Sequence, residues 1–291
     1  MNANTPRIVR VSTTFCAAAI FCGALLFAAD ANAETRSLVA EANPGVPSYF
    51  TLDFGEFGGR TSAFSGVTDM ELQVDPDAGT ARFAHYYQEV DPLTLPGGFS
   101  TGNLTIEIVE GSSTGTYDYL TGEFTTSETY LVHFEGDLSA FGLVSPVELP
   151  SQSVGTVQFD GTDGAILLDW DGAGTLVNPF DPLDFIDFSY FCTLSAQFAP
   201  EAIALVELAL VPTVENLSLA TTVEDDLLAS VAAVETALEA GNQRLASMLL
   251  VVFKNTVNAY AGDEIAQDDA EYLIEIADAI RSIVRPGVFR R

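Results

Sequence analysis

Phe188-Ser189-Tyr190-Phe191-Cys192-Thr193-Leu194-Ser195-Ala196-Gln197-Phe198 is the stretch that decides the fold. Its even positions are apolar and its odd positions mostly polar. A period of two belongs to an extended chain, in which successive side chains leave on opposite faces. The segment therefore reads as a strand with Phe188, Tyr190, Cys192, Leu194, Ala196 and Phe198 turned toward a core. Cys192 falls on the inner face, as a buried, inert thiol rather than a nucleophile, which would need partial exposure and a positive neighbour.

The same period extends back to about residue 46. Phe50, Leu52 and Phe54 share a face, as do Met70, Leu72 and Val74, Leu104, Ile106 and Ile108, and Tyr130, Val132 and Phe134. Turn-forming clusters separate these runs: Asp75-Pro76-Asp77-Ala78-Gly79, Pro96-Gly97-Gly98, Gly111-Ser112-Ser113-Thr114-Gly115 and Asp160-Gly161-Thr162-Asp163-Gly164. Short strands punctuated this often, with no helical stretch between them, predict about eight to eleven antiparallel strands in a sandwich or barrel.

Near Pro200 the pattern changes. Glu201 to Leu210 reads as a short helix leading through Pro212 into a linker. Beyond it Ala, Leu and acidic residues recur at helical spacing. Thr222 with Asp225 three places on reads as a capping pair, followed by Leu227, Leu228, Val231, Val234 and Leu238 up to Gly241. A second helix has Asn242 as its cap and Leu245, Met248, Leu249, Val252, Phe253, Val257 and Tyr260 as its inward stripe. A third starts near Asp268, turns Leu273, Ile274, Ala277, Ile280 and Val284 inward, and stops before Pro286-Gly287. One apolar stripe per helix and short loops predict a three-helix bundle. The expected class is thus α+β multidomain: residues 34–200 β-rich, 201–221 a connecting segment or short helix, and 222–291 a helical bundle.

Within the helical part, Ala237-Leu238-Glu239-Ala240-Gly241-Asn242, then Phe253-Lys254-Asn255-Thr256-Val257-Asn258-Ala259, then Ala270-Glu271-Tyr272-Leu273-Ile274 and Ala277 to Ile280 stand in an order that resembles the FIMAH domain. The likeness spans roughly residues 202–285, with Tyr260 where the family usually has Gln. It implies an accessory module on an extracellular bacterial protein and brings no catalytic residue with it. The β-rich part resembles no family known to us.

The first residues set the expected address. Arg7 and Arg10 precede an apolar run from Val11 to Ala29, and Ala31-Asn32-Ala33 places small residues before a cut. That layout predicts a signal peptide over residues 1–33, a mature chain from Glu34, and a secreted or periplasmic protein without a membrane span once cleaved. Cys16 and Cys22 leave with the signal, so no internal disulfide can form and the fold must hold by burial. The formal charge is −30. Cleavage removes Arg7, Arg10 and Asp30, which leaves the acid excess intact and Lys254 as the only lysine. Such a field repels nucleic acid and anionic headgroups and draws in cations and basic partners.

Few residues suggest chemistry. Gly98-Phe99-Ser100-Thr101-Gly102 has the spacing of a nucleophile elbow, but Pro96-Gly97 replaces the strand before it, and a strand follows where a helix belongs. His133 is predicted on an outer strand face. His85 shares a face with Phe83 and Tyr87 and reads as a half-buried packing histidine. Two histidines and one mature cysteine cannot build the usual zinc sites. Carboxylates are abundant: Asp169-Trp170-Asp171-Gly172-Ala173-Gly174 reads as an acidic turn, with Asp160 and Asp163 nearby, a setting open either to calcium or to a plain solvated surface. Trp170, Tyr86, Tyr87, Tyr117, Tyr119 and Tyr130 could stack on sugar rings or pack across strands. The expectation is a non-enzymatic binding or structural surface protein, its ligand an extracellular polysaccharide or cell-envelope component. No catalytic or metal residue is assigned and no cofactor beyond candidate calcium. The alternative is a glycan-active hydrolase using a carboxylate pair, which would show two acids with shifted pKa values in one cleft, whereas a binder can show a flat aromatic patch. Homotypic assembly is a third reading, and an exposed apolar stripe on the bundle would reveal it.

Overall fold

The computed structural model describes residues 35–55, 58–63, 67–178 and 181–284. The signal-peptide reading of residues 1–33, the first mature residue Glu34 and the expected Pro286-Gly287 stop lie outside the described residues. The described residues belong to one compact unit.

Eleven strands occur among the described residues, all paired antiparallel: β1 (Arg36–Ala42), β2 (Tyr49–Asp53), β3 (Gly59–Ala63), β4 (Thr68–Asp75), β5 (Thr80–Val90), β6 (Leu104–Ile108), β7 (Thr114–Asp118), β8 (Glu123–Phe134), β9 (Val147–Asp160), β10 (Asp163–Asn178) and β11 (Asp181–Phe198). The ladder runs β1-β4-β5-β6-β8-β9-β10-β11 and returns to β1 through Glu41 opposite Gln197 and Ala42 opposite Ala196. Such closure leaves the ring without a free edge, as in a barrel. β7 pairs the remaining lengths of β5 and β8, and the β2–β3 hairpin extends the sheet from the other part of β11.

The alternation read from the sequence puts Phe50, Leu52, Met70, Leu72, Val74, Leu104, Ile106 and Tyr130 inside. The inside is a chain of rings. Phe50, Trp170, Tyr130, Tyr86, Phe83 and Phe124 follow one another at centroid separations of 4.7–6.0 Å, within the favourable range for tilted and edge-on aromatic pairs. Space for these rings comes from glycines directly across the ladder: Phe124 opposes Gly155, Phe198 opposes Gly164, Tyr190 opposes Gly172 and Phe188 opposes Gly174. At each of the four glycines an added Cβ would run into the opposing ring, at 2.6 Å for Gly174.

Helix begins at α1 (Ala202–Leu205), widens to a π-helical stretch over Val206–Leu210 and continues as α2 (Val211–Asn216). The helix expected over Glu201–Leu210 thus runs on through Pro212, which stands in the first turn of α2, where a missing N–H is tolerated. α3 (Thr221–Glu239), α4 (Gln243–Tyr260) and α5 (Gln267–Val284) follow. The capping pair expected at Thr222 and Asp225 is corrected: the N-cap is Ala220, whose carbonyl accepts from the amides of Val223 and Glu224, so Thr222 lies within the first turn. The α3–α4 junction is as the sequence suggests. Gly241, at φ 66°, and Asn242 return their amides to the carbonyls of Leu238 and Ala237 in a Schellman turn. The Asn242 side chain then accepts from Leu245 N at 3.1 Å and caps α4.

Sheet and helices are tied together. Phe159 packs against both cores, Arg36 on β1 forms a two-pronged ion pair with Glu207, Tyr119 donates to Glu215 at 2.7 Å, and Asn216 donates to the carbonyl of Leu120 at 2.9 Å. No helix among the described residues is long and apolar enough to cross a membrane.

Candidate binding face

The residues singled out for chemistry do not meet in one place. Asp169-Trp170-Asp171-Gly172-Ala173-Gly174 forms no turn but the middle of β10, a strand of 16 residues. Its glycines admit the rings of Tyr190 and Phe188 instead of folding carbonyls toward a cation. Trp170 is 1% exposed and donates from Nε1 to the Tyr86 hydroxyl at 3.0 Å. Tyr86, Tyr117 and Tyr130 are buried too and Tyr119 is partly buried, whereas Tyr87 faces outward and its hydroxyl donates to Glu89 at 2.8 Å, so most of the expected aromatic platform is core. The reason is parity: Trp170 shares its side of β10 with Ile166 and Leu168, the side that closure turns inward.

Asp160 and Asp163 face each other at the β9–β10 turn, away from Asp169 and Asp171. No group of three or more His, Cys, Asp or Glu placed to hold a metal occurs among the described residues. His85 is corrected as well. An extra residue, Ala84, bulges β5 where Glu71 opposes His85 but Leu72 opposes Phe83. The bulge turns His85 outward, its Nε2 3.7 Å from Asp69 Oδ2. His133 opposes Thr105 on the outer face, as expected. Ser100 stands in an isolated bridge opposite Thr94, strand β6 follows it and its hydroxyl accepts from Gly102 N, so no nucleophile elbow is formed. Cys192 is fully buried, and its surroundings push the thiol far above its ordinary range.

Two carboxyl groups have raised pKa values among the described residues, and they lie apart. Glu128, on the inner face of β8, is raised by burial; Ser153 donates to Oε1, while Oε2 has no hydrogen-bond partner. Glu235 on α3 is raised by burial and then by neighbouring Glu207 and Glu239. It lines a cleft of about 400 Å³ between sheet and helices together with Asp77, Glu207 and Glu215. Glu207 is neutralised there by Arg36, and Glu215 is held by Tyr119. Of the carboxyls lining this cleft only Glu235 is raised, with Asp77 close enough to add to the shift.

An outward aromatic surface does exist, built from residues the sequence reading left aside. Tyr49 on β2 is 44% exposed and Phe191 on β11 is 45% exposed. Phe191 opposes Thr51 and Thr193 opposes Tyr49, so the two rings are diagonal neighbours on one face. On the other flank Phe191 opposes Asp171 and Thr193 opposes Asp169; beyond these, Gln152 and Val154 continue the rows on β9, and Ser127 and Thr125 on β8. The face thus carries two rings among carboxylate, amide and hydroxyl groups. Beside it an open groove of about 720 Å³ is lined by Ser127, Glu128, Gln152, Asp171, Ala173 and Ser189. The groove lies where β9 leaves β10 after Gln152, and the Tyr190 hydroxyl donates to the Pro150 carbonyl at that bend. One signal was available: Phe191 is an aromatic at an odd, outward position of an otherwise regular strand.

Stacking on a ring face and hydrogen bonding from short polar side chains are what such a surface can do. No known protein family matches the chain, and no curated protein is found similar to it.

Proposed function

We propose that this is a secreted or periplasmic, non-enzymatic binding protein whose β-face takes up extended extracellular polysaccharide. The observation that carries the reading is the outward pair Tyr49 and Phe191 beside Asp171, Gln152 and Ser127. Sugar rings present apolar C–H faces and equatorial hydroxyls, and this surface offers a complement to both. A flat face next to an open groove suits a chain of sugars better than a single small molecule, which calls for a concave site that buries most of its surface. The net charge of −30 favours a neutral or cationic glycan and argues against nucleic acid.

The helical part serves, in this reading, as a FIMAH-like accessory module. Its support is the Gly241–Asn242 junction and the burial of Phe253, Val257 and Leu273. The runner-up hydrolase would draw its acid pair from Glu128 and Asp171, which both line the groove; release of sugar in the assay below separates the two readings.

The test is retention of residues 34–291 on insoluble polysaccharides and cell envelopes, with calcium and with chelator, while released sugar is assayed. Expected are retention without release, no effect of chelator, and about tenfold weaker binding in Phe191→Ala and Tyr49→Ala, equivalent to ~1.4 kcal/mol. Trp170 fluorescence melting should be unchanged in both variants. Sugar release, or retention indifferent to both substitutions, would overturn the proposal.

A further inference from the structure

We propose that the protein self-associates through helix α4, two copies packing antiparallel about a two-fold axis. The inward stripe expected for this helix holds at Phe253 and Val257 and is corrected at Leu245, Met248 and Val252. Ala246, Ser247, Leu250, Phe253 and Val257 are the residues buried in the bundle, while Leu245, Met248 and Val252 face out, the last two 55% and 53% exposed. With Asn255 and Ala259 they form one line along the whole helix at i, i+3, i+7, i+10 and i+14. Val251 lies beside it, also exposed.

An apolar line alone names no partner; the charge distribution does. α3 and α5 carry five acidic residues each, whereas α4 carries none and holds Arg244 and the sole lysine, Lys254. The acids reaching α4 from its neighbours are engaged: Asp278 by Lys254, and Asp226 by the Tyr260 hydroxyl at 2.8 Å. A chain of charge −30 repels its own kind over most of its surface. On α4 two copies can approach with apolar contact and without facing carboxylates. Orientation follows from the same residues. A parallel pair would oppose Arg244 to Arg244. An antiparallel pair crossing at Val252 brings Arg244 of one copy to Asp263 and Glu264 of the other, the exposed acids just after α4. Residue i then meets j and j meets i, as a two-fold contact requires. The contact is small, so the dimer is expected to form and dissociate with concentration.

Sedimentation equilibrium of residues 34–291 over a dilution series should show a monomer–dimer equilibrium. Met248→Glu should leave a monomer with an unchanged melting curve, and Val252→Lys should do the same should the first variant fold poorly. Arg244→Glu should weaken association, and combining it with Glu264→Arg should restore it. A monomer at every concentration, or a dimer indifferent to both stripe variants, would overturn the proposal. So would a monomer that dimerises only when shortened to Val284, which would assign the face to residues 285–291 of the same chain.

Discussion

At the residue scale, Gly172 shows how one missing side chain organises a core. Tyr190 lies over it, touches Trp170 at a centroid distance of 5.9 Å and anchors the bend at Pro150. Gly172→Val should displace that ring and cost about 1–3 kcal/mol, the usual range for overpacking. The neighbouring, exposed Ala173→Val should stay within about 0.5 kcal/mol. Urea unfolding followed by Trp170 fluorescence separates the two. Glu128 gives a pH signature instead. Burial raises its folded pKa, so the native state holds the proton more tightly than the unfolded chain. Its contribution favours folding below the ordinary carboxyl value of about 4.3 and is lost as pH rises through the folded value. Glu128→Gln should therefore match the native protein near about pH 4 and gain on it toward about pH 7, since the amide has no charge to desolvate. A stability difference that ignores pH would refute this.

At the scale of the element, the helices show how far local signals reach. The Gly241–Asn242 junction is written locally, because a left-handed residue and a cap need only their own neighbours. Asn242→Ala should lower stability by ~1 kcal/mol through the lost cap, measured by thermal unfolding. The orientation of α4 is a different matter. Leu245, Met248, Leu249 and Val252 form as good an apolar stripe in sequence as Ala246, Leu250, Phe253 and Val257, and helical spacing cannot rank two adjoining stripes. Packing against α3 and α5 selects the face that includes Phe253. Small residues Ala246 and Ser247 then let the helices approach closely, with Arg281 donating to the Ser247 hydroxyl at 3.3 Å.

At the scale of the whole molecule, sheet and bundle share the seam around Arg36 and Glu207, whose side chains are each 13% exposed. Arg36→Ala would leave Glu207 unpaired beside Glu235 and should cost about 1.5–3 kcal/mol, the range for hydrogen bonds to charged groups. Calorimetry should show the helical part of this variant melting ahead of the sheet, and the native chain should melt in a single transition. The sequence by itself determined the strands, their inward faces, the change to helix near Pro200 and the acid excess. Each follows from periodicity or composition, which are properties of neighbouring residues. Only the tertiary structure decided that Trp170 and Tyr86 are core and that the outward Phe191 and Tyr49 are neighbours across β11 and β2. The sheet closes by pairing β11 with β1 across more than 150 residues of chain, as Ala42 opposite Ala196 records. Closure settles the inner side where alternation is broken, as by the Ala84 bulge of β5, or where the sequence reads as a turn, as at Trp170 in β10.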